Sequence, residues 1–388
     1  RDLYSPGCKF LKKWLTFGTF NVYLSTYLAL NMKTTFSIRL SSARKMAGMS
    51  LQKLADALGN VVTRQALNKY EQGKMKPDSS LLIRLSEILG VPVDYFYSEH
   101  TFDIELRNPD YRRHSSRISS VQKASIEEKS RNLLEKYFEL EALLNLNEGQ
   151  DYFQFKKEII TAKDVLEAAR TLREEWNLGY DPIPDAVAML EDKGYKVIEV
   201  EGPKSFDGLS AEVNGSKVIV LNSSIFEGNS CRKRFTALHE LAHHSLKFPE
   251  GMEPREEEKL CHIFANAVLY PSDMAKRDLH NTRFHFYENE LVLIKERWGI
   301  SISAIFQTAL RLGIITDFTF RSLNIKYRSL GYHKENNEPG RFLGQEKPVR
   351  FQHLVYIALG KGLISTNEAA YYTGVSAWEF RKSMKQLV

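Results

Sequence analysis

A chain of 388 residues is long enough to bury two or three separate cores. With 43% hydrophobic and 26% charged residues, its composition is globular and excludes wholesale disorder. Three cysteines (Cys8, Cys231 and Cys261) supply neither a disulfide framework nor a paired-cysteine zinc site, so the cytoplasm is the expected setting.

Residues 1–32 start at Arg1 without a methionine. They run from Lys12 and Lys13 into an apolar stretch over 17–30 that has the outline of a signal peptide. Asn21, Ser25, Thr26 and Asn31 interrupt a run already short for a bilayer, so no membrane role is expected. The segment reads as an upstream or non-native extension, with Met32 as the natural start.

Residues 33–98 carry ten Lys or Arg against five Asp or Glu, a balance of +5 in a chain whose formal net charge is +6. A basic module on a near-neutral body is suited to phosphate and predicts double-stranded DNA as partner. Its apolar spacing predicts several short helices. Ser50 caps one whose Leu51, Leu54, Ala55 and Leu58 face inward and which Gly59 ends. Thr63 caps the next, with Ala66, Leu67 and Tyr70 inward and Arg64, Gln65, Asn68 and Lys69 outward. A recognition helix presents such side chains to base edges and phosphates from its N-terminal half. Lys74 and Lys76 are expected at phosphate. Tyr95, Phe96 and Tyr97 close the module, as core or as the contact of a homodimer.

Residues 99–160 read as a polar helical linker, with one long helix near 119–146. From 161 to 315 the pattern is α+β. An amphipathic helix at 165–176 precedes a second opened by Asp181-Pro-Ile-Pro. Short strands follow at 195–200, 208–213 and 217–221, then helices around 231–247, 256–270 and 287–312. Residues 316–388 read as a small helical C-terminal domain. Within it 365–384 has a helix-turn-helix outline that is read chiefly as packing, with a second DNA or partner contact as the lesser alternative. The expected chain is multidomain and mainly α, with an α+β domain in its middle.

The sharpest chemical signal is Ala237-Leu238-His239-Glu240-Leu241-Ala242-His243. Histidines at i and i+4 share a helix face and can offer two imidazoles to one ion, while Glu240 lies within reach of a metal-activated water. A catalytic zinc needs a third protein ligand and an open position. In the next helix Leu260, Cys261, Phe264, Ala265, Val268 and Leu269 define an inward face that Glu258 can share, with Glu257 as the second choice. His244 points away around the helix, and Cys261 is read as buried rather than ligating. Zinc is the expected ion, with manganese or another divalent metal open.

Two resemblances emerge from these residues. Met49–Gly73, with its Tyr-Glu-Gln-Gly-Lys-Met-Lys-Pro77 exit, resembles the XRE-type helix-turn-helix family, which implies a phosphate or base contact for Gln52. Its turn, Gly59-Asn-Val-Val62, is longer than in the simplest members. Residues 161–315 resemble the ImmA/IrrE metallopeptidase family, whose members have a zincin-like helix. The likeness rests on Arg232-Lys-Arg-Phe-Thr-Ala-Leu-His239, Glu258-Lys-Leu-Cys-His-Ile-Phe-Ala-Asn-Ala-Val-Leu-Tyr-Pro271, Phe206-Asp-Gly-Leu-Ser, Val218-Ile-Val-Leu-Asn222 and Lys295-Glu-Arg-Trp-Gly-Ile-Ser301. It implies peptide hydrolysis, with His239, His243 and Glu258 as metal ligands and Glu240 as general base. His262 departs from the polar residue, usually Asn, at that place in the family.

Together they imply a DNA-binding regulator with a zinc-dependent endopeptidase. Its substrate would be an XRE-type repressor, another partner protein or this chain's own linker, cleaved to control stress-response or mobile-element genes. The alternatives are a non-catalytic or antitoxin-like regulator that uses the peptidase fold for sensing or partner binding, and a scaffold with a structural zinc.

Overall fold

The computed structural model describes residues 35–98, 102, 104–107, 118–146, 152–280, 282–334 and 336–384. The expectation for 1–32 therefore lies outside the described residues. The chain divides at residue 100 into two units.

The first unit holds α1 (Thr35–Met46), α2 (Leu51–Ala57), α3 (Arg64–Glu71) and α4 (Ser79–Leu89), closed by a 3₁₀ turn at Val93–Tyr97. Ser50 accepts the Lys53 amide, Thr63 that of Ala66 and Asp78 that of Leu81, so each cap satisfies a donor the helix leaves open. Gly59 and Asn60 both take positive φ, which lets their amides turn back onto Asp56 and Ala55 carbonyls and stop α2. Leu40, Leu54, Leu58, Leu67, Leu85 and Phe96 are fully buried and form the core. Tyr95 and Phe96 belong to it, while Tyr97 is 60% exposed.

The second unit is built on a three-stranded sheet: β1 (Lys196–Val200), β2 (Gly208–Val213) and β3 (Ser216–Asn222), in spatial order β1-β3-β2. β3 pairs parallel with β1, from Lys196 opposite Val218, and antiparallel with β2, from Gly208 opposite Leu221. Asn214 and Gly215 join β2 to β3 with two positive φ angles, the geometry a two-residue hairpin needs. As the central strand, β3 is apolar on both faces. Ile219 and Leu221 enter one core, and Val218 and Val220 enter the other.

The first of these cores is covered by α6 (Ala162–Glu175), α7 (Ala186–Asp192), α8 (Ser230–Ser245), α9 (Pro254–Leu269), α10 (Ser272–Leu279), α11 (Glu288–Trp298), α12 (Ile302–Arg311) and α13 (Asp317–Ser329). The second is covered by α5 (Ser120–Leu143), α14 (Arg350–Gly360), α15 (Thr366–Thr373) and α16 (Ala377–Ser383).

Several expectations change here. The long helix of the supposed linker is α5, and it is a layer of the fold. Its Leu134, Tyr137 and Leu140 are buried against the sheet, and Glu141 binds Lys196 through both carboxylate oxygens at 2.6 Å. Residues 316–388 are likewise no separate domain. Phe320 and Leu323 pack on the first core, while Leu354, Ala369 and Phe380 are buried in the second. The outline at 365–384 is thus a packing element on its inner face. The helix expected over 287–312 is two, because Gly299 at φ 64 ends α11 and Ser301 caps α12. Asp181-Pro-Ile-Pro precedes α7 rather than opening it, and Asp185 is the cap.

A buried ion pair ties the strap at 336–349, which runs between α13 and α14, to this frame. The Arg234 guanidinium lies 3.4 Å from Glu346, and both side chains are wholly buried. The other oxygen of Glu346 accepts the Ala186 and Val187 amides at the start of α7. Replacing Arg234 by Met leaves that carboxylate without its cation. The expected cost is about 3–5 kcal/mol in urea denaturation, and a loss below about 1 kcal/mol would contradict the role given to the pair.

Candidate metal centre and DNA-reading face

The metal-centre residues come from two adjacent helices. The amides of α8 start from an Asn229 cap, and its first turn carries three consecutive bases that each meet an acid on a different segment. Arg232 binds Asp207 at 2.7 Å, Lys233 binds Glu199 in β1, and Arg234 binds Glu346. These pairs fix the rotation of α8 about its axis. Ala237, Leu238, Leu241 and Ala242, all fully buried, then fill the core, and His239 and His243 are left facing α9.

β2 supports the same helix from the side. A Cβ on Gly208 would lie 2.9 Å from the Val220 carbonyl oxygen, 3.1 Å from Thr236 Cγ2 and 3.4 Å from Glu240 Cγ. Glycine there allows the strand to approach α8 closely, and Glu240, 5% exposed, is held beside its first residue.

On α9, Pro254 occupies the first turn and the apolar face anticipated from the sequence is buried. That orientation turns Glu258 toward the histidines. His239 Nε2 is 3.3 Å from His243 Nε2 and 3.3 Å from Glu258 Oε2, and His243 Nε2 is 3.6 Å from Glu258 Oε1. In a tetrahedral site with metal–ligand bonds of about 2.0–2.1 Å, neighbouring donors lie about 3.3–3.4 Å apart. Three electron-pair donors converge at that spacing, so these residues fit a divalent cation.

Burial raises the Glu258 pKa. The hydrogen bond and charge of His239, with His243 and His262 behind, outweigh it and bring the value to about 2. The carboxylate is thereby kept in its ligating form.

The surroundings distinguish ligands from neighbours. The other nitrogen of His243, Nδ1, lies 3.8 Å from Cys261 Sγ and 4.0 Å from Glu257 Oε1. Glu257 therefore flanks an imidazole rather than replacing Glu258, in the manner of carboxylates that orient metal-bound histidines. His244 meets the Val218 carbonyl oxygen at 2.9 Å, and burial holds its pKa down to about 4, so it is a neutral anchor of α8 on β3.

His262 sits closer than the sequence reading required. Its ring stacks between Phe235, centroids 5.7 Å apart, and His239, 4.6 Å apart. Donor atoms of His239, Glu258 and His262 also fall within 4.8 Å of one another. Two histidine sets thus compete for the third corner. His243 lies 3.3 Å from His239 and 3.6 Å from Glu258, while the stacked His262 presents its face to His239, so His243 is the better placed of the two for the third corner.

In the first unit the seven DNA candidates lie on the surface. Gln52, Thr63, Arg64, Gln65, Asn68, Lys69 and Lys74 are all exposed. Gln52 donates to Asp56 at 2.9 Å, one helical turn away.

What sequence reasoning missed is that part of the positive charge is internal. Arg44 grips Glu71 through two bonds of 2.6 and 2.9 Å and donates a third to the Met49 carbonyl, fixing the end of α3 against α1. Arg39 is 2% exposed, donates to the Ser98 carbonyl and lies over the Tyr95 ring. Arg84 donates to the Leu58 carbonyl.

Comparison with known proteins agrees with this unit. A family model described as helix-turn-helix matches residues 40–96. Over 79 residues the chain is 40% identical to the SPbeta prophage-derived uncharacterized HTH-type transcriptional regulator YonR of Bacillus subtilis, covering 71% of that protein and 19% of this chain. This chain belongs to the helix-turn-helix transcriptional regulators. It is also 43% identical over 60 residues to the uncharacterized HTH-type regulator YqaE of Bacillus subtilis and 41% identical over 61 residues to one from Sinorhizobium medicae. Those matches span 50% and 42% of the relatives and 16% of this helix-turn-helix regulator in each case. Among the described residues, no helix is long and apolar enough to cross a membrane.

The ligand assignment has a direct consequence for metal content. Ala at His239, His243 or Glu258 should lower zinc affinity by about 100-fold or more in chelator competition, whereas His262→Ala should change it by less than about tenfold. Retention of wild-type affinity by His243→Ala, with loss in His262→Ala, would reverse the assignment.

Proposed function

We propose that this DNA-binding regulator also carries a zinc-dependent endopeptidase that cuts a repressor or other partner protein. The observation behind the reading is the convergence of His239, His243 and Glu258, with Glu240 beside them at the edge of β2. Three protein ligands on two helices are the donor set of a catalytic rather than a structural zinc, which is usually closed by four.

A divalent ion held there would supply Lewis-acid polarisation of a scissile carbonyl and of water. The protein's own work is the rest. Glu240 accepts a proton from the attacking water and delivers it to the leaving amine nitrogen. The burial of His239 and Glu240 keeps the ligands in one geometry and limits competing solvent. His243 keeps its orientation through Cys261 and Glu257. The cytoplasm is the setting this reading requires.

On the DNA side, Arg64, Gln65 and Asn68 on the exposed face of α3 are assigned to base edges. Gln52, Thr63, Lys69, Lys74 and Lys76 are assigned to positioning on the backbone. The alternative in which the same fold only senses a signal or holds a partner keeps the histidines and removes the role of Glu240.

Two experiments test the reading. Zinc-loaded Glu240→Gln should keep its metal and lose at least about 100-fold of cleavage of an XRE-type repressor or of the chain's own segment before α6. Cleavage by that variant at the wild-type rate would remove Glu240 as base, and absence of cleavage by the wild type on every such substrate would favour the sensing alternative. In binding assays, Arg64→Ala or Asn68→Ala should cost about 1–3 kcal/mol on the specific site and little on random DNA, while Lys74→Ala and Lys76→Ala should weaken both alike. Equal losses from all four would contradict the division.

A further inference from the structure

A cavity of about 1150 Å³ lies behind the metal centre, between α8, α9, α11, α12 and α13 and the strap around Phe342. Small-molecule sites commonly run to about 300–1,000 Å³, so this one has room for an organic ligand. Phe235 and His262 form the wall it shares with the metal centre.

Its lining is divided in character. Phe235, Ile263, Ile300, Leu310 and Phe342 give apolar and aromatic surface. Its two lining carboxylates are each already matched. Asp207 meets Arg232 at 2.7 Å, and Glu338 meets Lys295 at 2.8 Å. Arg311, Lys334 and Arg341 also line the space; Glu296 accepts the Arg341 backbone amide, but among the described residues none of the three side-chain cations has a carboxylate within 4.0 Å.

Arg311 is the decisive residue. Its Nε is buried without a hydrogen-bond partner, while its NH2 donates to Thr308 Oγ1 at 3.3 Å. Burial lowers its pKa and no acid offsets that. Asn266, 4% exposed, lies beside the same threonine. Its Nδ2 donates to Thr308 Oγ1 and the Ala304 carbonyl, while its Oδ1 has no partner. Arg311 is half-buried with its Nε edge out of solvent; an arginine cannot relieve that desolvation by losing its proton, and a desolvated charge without a counter-charge is costly. The fold tolerates such a group where a ligand completes it.

We propose that this cavity binds a small amphipathic anion, with an apolar or aromatic body against Phe235, Ile263 and Leu310 and a carboxylate, phosphate or sulfonate group on Arg311. The site is separate from the histidine–carboxylate centre and does not depend on its turnover. It gives a regulator a place for a metabolite-like effector one aromatic layer from its metal helix.

The test uses two probes that share one ring system. Fluorescence titration of the full-length protein with 1-anilinonaphthalene-8-sulfonate is compared with neutral N-phenyl-1-naphthylamine. The sulfonate should bind saturably at one site. Arg311→Met should weaken it by about tenfold while changing the neutral probe by less than about twofold. Gln307→Glu places a negative charge at the exposed rim without altering Arg311 itself, and should weaken the sulfonate by about threefold and leave the neutral probe alone. Equal losses for both probes in Arg311→Met would overturn the proposal. So would a sulfonate affinity unchanged by Gln307→Glu, which decides the matter alone if Arg311→Met fails to fold.

Discussion

The second unit depends on how α8 is held. Arg232, Lys233 and Arg234 occupy three successive positions and reach three segments distant from one another in the chain: Asp207 before β2, Glu199 in β1 and Glu346 in the strap. A helix tied in three directions at its first turn cannot rotate. The apolar residues of the next two turns then fix which side faces the core, and His239 and His243 follow from that at the remaining side. The same constraint explains Gly208 and Gly299. A Cβ at the first would meet the Val220 backbone, and one at the second would lie 2.3 Å from an Arg234 nitrogen.

The convergence of His239, His243 and Glu258 was the most legible feature of the sequence because its information is local. Histidine spacing within α8 and the apolar face of α9 each follow from one helix, and together they select Glu258. The strands were legible for a similar reason, since β3 is apolar at four consecutive buried positions, Val218 to Leu221. What stayed hidden depends on pairs far apart. Nothing near Leu134 or Tyr137 announces that they cover a sheet 60 residues later. The polar residues between them made α5 read as a linker. In the same way Glu346 looks like a loop acid until it is seen at the start of α7 beside Arg234. The division of 287–312 was readable in principle, through glycine at 299 followed by a serine cap at 301.

The helix-turn-helix unit teaches a different lesson about charge. A balance of +5 over 33–98 points correctly to nucleic acid, yet Arg39, Arg44 and Arg84 spend their guanidinium groups inside the module. Arg44 and Glu71 set the position of the helix that carries Arg64 and Asn68. Net charge therefore overstates the positive charge left free on the module's surface. On the proposed reading, one chain would link recognition of DNA to protein chemistry without a second polypeptide.

The central claim is that two imidazoles and one carboxylate of this chain form the metal site. X-ray absorption at the zinc edge of the loaded protein tests it most directly. The account predicts a shell of nitrogen and oxygen at about 2.0–2.1 Å, with two imidazole rings in its outer scattering and no sulfur. A sulfur shell at about 2.3 Å would bring in Cys261, and a third imidazole would bring in His262; either would contradict the assignment of His239, His243 and Glu258.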